Sequence, residues 1–267
     1  MFNQAFQSKG VIRNICVSLL LLTAMNAYPS ALKIEEQGLI YSYKSKSDSE
    51  ISILRKIQGS GHSNSELFEL INNSLMDEYS SRSNEISELN SWRVKALAFS
   101  GEEKYRKTIA EVVNNSKSRK VKRYAKQSLA ILSDYTRWNP VIVNGLSSYE
   151  GQLLDSKRIE NMLTAKDYRL KRFGAMRVID RHVHDTEIIE FVVSLVERDY
   201  EKISGNGVEA DSIAWLCKVL KYTYNLKHLP LLETVRSNSP SKHVRTEAAK
   251  AVRKIKFENN KNTLRYN

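Results

Sequence analysis

The chain has 267 residues, of which 42 are Lys or Arg and 30 are Asp or Glu, giving a net charge of +12. Hydrophobic residues make up 41%, too many for a disordered chain, and 10 Gly with 4 Pro are too few for a fibrous one. The 2 cysteines exclude a disulfide scaffold and a multi-cysteine metal site. The length allows one large domain or two small ones, each with a buried core.

Residues 1–27 have the composition of a secretory signal peptide. Lys9 and Arg13 precede an apolar run over residues 15–25, no acidic residue is present, and the small residue Ala27 closes the segment. The run has about half of the ~20 apolar residues that a membrane-spanning helix needs. We therefore expect a periplasmic or secreted protein with no transmembrane segment in the mature chain. The alternative is a hydrophobic N-terminal helix that packs on the domain.

Residues 28–62 are predicted to form an N-terminal extension that precedes the main domain. The segments 39–43 and 51–53 alternate in side-chain character, and the residues between them are polar and turn-forming. Alternation of this kind is typical of strands, so the sequence predicts a short β-hairpin here.

From residue 63 to residue 257 the hydrophobic period is helical, and residues 258–267 form a polar tail. The segment 133–150, which contains Trp138 and Pro140, is predicted to be a loop that interrupts the helices. Ser239 and Pro240 are predicted to cap and open the last helix. The predicted helices after a first one around Leu67–Leu75 cover residues 87–99, 102–114, 118–132, 167–180, 186–200, 210–224, 228–237 and 241–256.

Internal repetition is the most informative feature of this region. Residues 92–132 align with residues 215–255 at an offset of 123, and a partial third copy follows the first at an offset of 49. In each copy a second helix opens with Val or Leu, followed by Lys or Arg, and carries a small residue four positions later. That small residue would let a neighbouring helix approach closely. The aligned positions include Trp92 with Trp215, Val121 with Leu170 and Val244, and Ala125 with Gly174 and Ala248.

The segment from Leu229 through Val244 and Arg245 to Val252 carries this pattern most clearly and resembles the HEAT-repeat family. The resemblance implies an all-α fold, a right-handed α-solenoid of about five helix pairs whose second helices line a concave face. The family usually places Asp at the corner between paired helices, where this chain has Asn115 or Asn238. We therefore expect a weakened ladder of ion pairs between repeats.

Few residues carry the signature of catalysis or of cofactor binding. No phosphate-binding Gly-rich loop, nucleophile elbow or His-Glu-x-x-His motif is present, so we expect neither an enzyme nor a bound cofactor. One cluster, formed by Asp180, His182, His184 and Asp185, could hold a divalent metal if the segment is extended. The alternative is a solvated turn between two helices, with Asp185 capping the second.

Basic residues concentrate in the predicted second helices. Stacked on a concave face, they would attract an anionic partner, although a solvated surface is the alternative. Trp138, without a repeat counterpart, is an additional candidate contact residue. The predicted partner-binding residues are Arg119, Lys120, Arg123, Lys126, Trp138, Arg169 and Arg172.

These features predict a monomeric protein that binds another macromolecule as an adaptor, scaffold or inhibitor in the cell envelope. The partner would be a protein or an anionic polymer. Two alternative functions are also compatible with the sequence. One is a nucleic-acid-binding solenoid, similar to HEAT-type DNA glycosylases, which requires that residues 1–27 are not a signal. The other is a metal-dependent hydrolase built on His182 and His184.

Overall fold

The computed structural model describes residues 31–149 and 152–265, and every regular element in these ranges is helical. The all-α fold class is therefore confirmed. The predicted signal peptide lies outside the described residues and stays a prediction. The helices are α1 Ala31–Ser45, α2 Glu50–Ile57, α3 Ser65–Glu78, α4 Asn84–Phe99, α5 Arg106–Asn115, α6 Arg119–Ile142, α7 Gln152–Thr164, α8 Tyr168–Arg177, α9 Thr186–Asp199, α10 Val208–Tyr222, α11 Leu229–Asn238 and α12 Lys242–Arg265.

The N-terminal segment forms two helices where the sequence predicted a hairpin. The adjacent residues Leu39 and Ile40 are both buried, and Tyr43, one turn further, packs against the same core. Such neighbours fit one face of a helix, whereas strand geometry would send Leu39 and Ile40 to opposite faces. Ser49 accepts a hydrogen bond from the Ser52 amide and caps α2. Helices α1 and α2 thus contribute to a hydrophobic core that they share with the helices that follow.

Helices α3 to α12 follow one another as pairs, in which α3 packs on α4, α5 on α6, α7 on α8, α9 on α10 and α11 on α12. The second helices also pack on one another, α4 on α6, α8 on α10 and α10 on α12, while α7 bridges to α6. Neither member of a pair can bury its apolar stripe alone, so successive pairs share their cores.

Two hydrophobic cores meet at helix α7. Met162 belongs to the core that extends back to α1, whereas Ile159 and Leu163 belong to the core that extends forward to α12. Gly174 of α8 lies directly against this helix, and a Cβ atom on it would sit 2.8 Å from the Met162 Cβ. The small residue that the repeat pattern predicts at this position, Gly174, is therefore required for the close packing of α7 and α8.

Helix α6 continues through the segment that was predicted to be a loop. The Asn139 side chain donates to the carbonyl oxygens of Phe99 and Ser100, both at 2.9 Å, and so caps the end of α4. The Thr136 hydroxyl donates to the Gly101 carbonyl at 2.5 Å. These contacts tie the last turns of α6 to the end of α4, which explains why the helix persists to Ile142.

Other boundaries also differ from prediction. Helix α7 was not predicted, and α12 runs to Arg265 through most of the expected polar tail. Helix α12 begins at Lys242 rather than at Pro240, because Ser241 supplies the cap: its hydroxyl oxygen accepts from the Val244 amide at 3.4 Å.

Candidate binding surface

The second helices α6, α8 and α12 start alike, as their aligned sequences predict. Ser118, Asp167 and Ser241 occupy equivalent positions, and each side chain accepts a hydrogen bond from an amide of the first helical turn. These oxygens satisfy amide groups that no carbonyl of the helix can reach. The common start brings the basic residues that follow each cap to equivalent places on these three helices.

A ladder of ion pairs joins the second helices to one another. Each carboxylate lies on one second helix and each cation on a neighbouring one. The ion pairs are Glu88–Lys120 between α4 and α6, Asp134–Arg169 at 2.7 Å between α6 and α8, and Arg172–Asp211 at 3.0 Å between α8 and α10. Between α10 and α12, the imidazole Nε2 of His243 lies 3.2 Å from the Asp211 carboxylate.

Because of this ladder, three predicted contact residues bind carboxylates of the chain itself. Lys120, Arg169 and Arg172 each already have a carboxylate partner, so their charges are largely matched within the chain. The expectation of a weakened ladder was based on the absent corner Asp. The acidic half of these links comes instead from the preceding or following second helix.

The basic residue directly after the opening Val or Leu has a different task. Lys122 Nζ donates to the Asn114 carbonyl at 2.8 Å, and Arg245 Nη1 donates to the Ser239 carbonyl at 2.6 Å. Both cations bind carbonyl groups at the end of the first helix of the pair, where the helix dipole is negative. Lys122 and Arg245 therefore close the corner of their pairs.

Trp92 and Trp215, which occupy equivalent positions, each lie beneath a lysine one turn further along the helix. Lys95 Nζ is 4.1 Å from the centre of the Trp92 ring, and Lys218 Nζ is 4.0 Å from that of Trp215. Lys95 also lies 3.9 Å from the ring of Tyr124 on α6. Burial lowers the pKa of Lys95, and the two aromatic faces offset part of the lost hydration.

Three basic residues on α6 form an exposed stripe, which we call the α6 stripe: Arg119, Arg123 and Lys126. They are spaced by four and three positions and so share one face of the helix. Arg123 lies 5.0 Å from the Tyr124 ring centre. The side chains of all three residues make no ion pair or hydrogen bond with the rest of the described chain. The first turn of α6 contains no acidic residue, although a helix N-terminus favours negative charge.

Trp138 is not an exposed contact residue. It is 8% exposed, packs edge-on against Tyr135 with ring centres 5.3 Å apart, and donates from Nε1 to Asp167 at 2.9 Å. Burial would raise the pKa of the Asp167 carboxyl, but this bond and two backbone amides lower it overall. Trp138 therefore holds the cap of α8, because α6 continues as a helix to that point.

The residues of the predicted metal cluster lie apart from one another: His182 contacts neighbouring carboxylates, and the others are exposed or cap a helix. The turn Val178–His182 places His182 Nε2 at 3.0 Å from Asp155 on α7, and Nδ1 at 3.7 Å from Asp185. Asp180 and His184 are exposed, and Asp185 caps α9 through the Ile188 amide. Within residues 31–149 and 152–265, no three His, Cys, Asp or Glu side chains are grouped closely enough to hold a metal ion.

The carboxylates of the ladder are not among the residues predicted from the sequence. A signal for them exists: Glu88 precedes Trp92 by four positions, as Asp211 precedes Trp215, and a lysine follows each Trp three positions later. This acid, Trp and Lys spacing places all three side chains on one helix face.

Comparisons with known proteins found no match: no family model, no curated protein and no solved structure corresponds to this chain. Among the helices of the described part, none combines the length and the apolar character that crossing a membrane would need.

Proposed function

We propose that this chain is a HEAT-like α-solenoid that binds another macromolecule. Five consecutive helix pairs, equivalent caps and ion pairs between successive second helices support the solenoid. Such a succession makes a long surface that is built from one helix of each pair. We place the binding function on the surface that carries the α6 stripe.

The observation that carries this proposal is the unpaired charge of the α6 stripe. None of its three members has an acidic partner among the described residues, and Arg119 opens a helix at the end where cations are unfavourable by about 0.3–1 kcal/mol. The described part of the fold thus gives Arg119 no acidic group, and a partner that supplies carboxylates would provide one.

The partner that we propose is an acidic protein surface. Arg and half-buried aromatic side chains are enriched at the centres of protein interfaces, and the stripe adjoins Tyr124. The role is that of an adaptor, scaffold or inhibitor rather than an enzyme. The composition of residues 1–27 supports export to the cell envelope, where acidic proteins are more accessible than nucleic acid.

Charge reversal tests the stripe. The triple variant Arg119→Glu, Arg123→Glu and Lys126→Glu should lose at least tenfold in affinity for an acidic peptide, such as a Glu-rich 15-mer, in a fluorescence anisotropy titration. The matched control is Lys107→Glu with Lys117→Glu and Lys166→Glu, three exposed cations outside the stripe. Equal losses in the two variants would mean that net charge alone drives binding, and would refute the stripe.

A duplex DNA of the same charge separates the two classes of partner. Tighter binding to DNA, with a steep fall in affinity as salt rises, would replace the protein partner with nucleic acid. The intact mass of the protein from its native host tests export. A mass reduced by residues 1–27, outside the cytoplasm, supports the envelope role, and a full-length cytosolic protein would overturn it.

A further inference from the structure

A cavity of about 610 Å³ lies between α1 and the pair α7 and α8, away from the α6 stripe. Its polar wall contains Arg158 of α7, Arg177 of α8 and Arg181 of the turn that follows α8. Its apolar wall contains Ile34, which is 57% exposed, and Leu154. The cavity therefore combines a cluster of guanidinium groups with an accessible apolar side.

Two of these guanidinium groups are buried and incompletely satisfied. Arg158 is 2% exposed and binds Glu35 through both terminal nitrogens, at 2.6 and 3.3 Å. Arg177 is 8% exposed and donates to Asp155 at 2.7 Å and to the Gln58 carbonyl. The buried Nε–H groups of both arginines have no acceptor in the described part of the chain. Buried donors of this kind are rare in folded proteins.

The charges of the cavity wall do not balance. Glu35 and Asp155 match Arg158 and Arg177, while Arg181 is exposed and has no ion pair with any described residue. The fourth cation of the wall, Lys56, pairs with Asp48 at 3.1 Å. Burial lowers the pKa of Arg177, and the charges of Arg181 and Arg158 add to this effect, whereas Asp155 opposes it. One positive charge thus remains unmatched.

We propose that this cavity binds an anionic amphiphile, a small molecule with a carboxylate or phosphate head and a short apolar chain. The head would accept hydrogen bonds from Arg181 and from terminal N–H groups of Arg158 or Arg177 that their present partners leave free, because each guanidinium has five donors. The chain would lie against Ile34 and Leu154. This site is independent of the proposed partner surface, since neither shares a residue with the other.

The test titrates the purified chain with octanoate, octyl phosphate and 1-octanol, using calorimetry and the melting temperature as separate readouts. Either anion should bind, and the tighter of the two identifies the head group, whereas the neutral alcohol should bind at least tenfold more weakly. Binding of neither anion, or equal binding of the alcohol, would overturn the proposal.

Two variants locate the site. Arg181→Gln should weaken anion binding by roughly five- to tenfold, because it removes one charge-assisted hydrogen bond, and its exposed position should leave the fold intact. Glu35→Gln should tighten binding, since the head no longer competes with a carboxylate for Arg158. The control Arg253→Gln removes an exposed cation of α12 and should change nothing. An unchanged affinity in Arg181→Gln would refute the site even if Glu35→Gln fails to fold.

Discussion

Replacing Gly174 by Ala tests whether the approach of α7 and α8 is as close as the repeat pattern requires. The new Cβ would lie 2.8 Å from the Met162 Cβ and 3.2 Å from the Leu163 Cδ2. The Met162 Cβ is fixed by its own backbone, so a rotamer change cannot move it away. Overpacking of this kind costs about 1–3 kcal/mol, and the higher helix propensity of Ala returns up to about 1 kcal/mol. We expect a net loss of about 1–2 kcal/mol in the free energy of unfolding.

The chain offers a matched control in Gly38, which lies inside α1, where an added Cβ atom would meet no other part of the described chain within 4 Å. Gly38→Ala should therefore raise the free energy of unfolding by up to about 1 kcal/mol through propensity alone. Urea unfolding followed by circular dichroism measures both variants, and equal m-values would show that only stability has changed. Equal stabilisation by Gly174→Ala and Gly38→Ala would show that α7 and α8 are not in close contact.

Three further predictions concern single groups. Arg119→Glu should raise stability by about 0.3–1 kcal/mol in low salt, because it places an acid at the start of α6; a loss in thermal melts would mean that Arg119 has a structural role. For His62, burial would lower the pKa, but the carboxylates of Glu36 at 3.4 Å and Glu35 at 3.7 Å raise it overall. The stabilisation is thus complete below about pH 6.5 and is lost as pH rises through the folded-state pKa, so His62→Gln should flatten that part of a stability–pH profile. Burial raises the pKa of Cys217 to about 12, so iodoacetamide at pH 8 should label this thiol only after unfolding, and rapid labelling of the native protein would contradict its burial.

The sequence predicts the second helices well and the N-terminal segment poorly, for a common physical reason. In the repeats, a cap, a basic residue and a small residue recur at fixed spacing, so three local signals agree on each helix. Residues 39–43 lack such agreement, because the pattern of so short an apolar run does not by itself distinguish a strand from a helix. Tertiary packing of α1 against α2 and α3 decides between them.

The sequence predicts which basic residues lie on the candidate surface, but not the contacts that these residues and Trp138 make. The sequence identified Trp138 as an exposed residue because it expected a loop, and it could not foresee that Asn139 would cap α4 and keep α6 helical to Ile142. The carboxylates Asp134 and Asp211 lie 35 and 39 positions from the arginines that they bind. Pairings over such separations depend on how the helices stack, which spacing within one helix does not reveal.

These contacts distinguish basic residues that look equivalent in the sequence. Arg119 and Lys120 are neighbours in sequence, but a helix turns by about 100° per residue, so only one of them reaches Glu88 on α4. Lys120 forms an exposed ion pair with Glu88, worth up to about 1 kcal/mol, whereas Arg119 continues the exposed stripe with Arg123 and Lys126. A variant of Lys120 should therefore lower stability and leave affinity for an acidic partner unchanged. A variant of Arg119 should lower affinity for an acidic partner without lowering stability. The distinction follows from helix geometry. Measuring both stability and affinity for an acidic partner on the two variants shows whether the stripe contributes to folding or to binding.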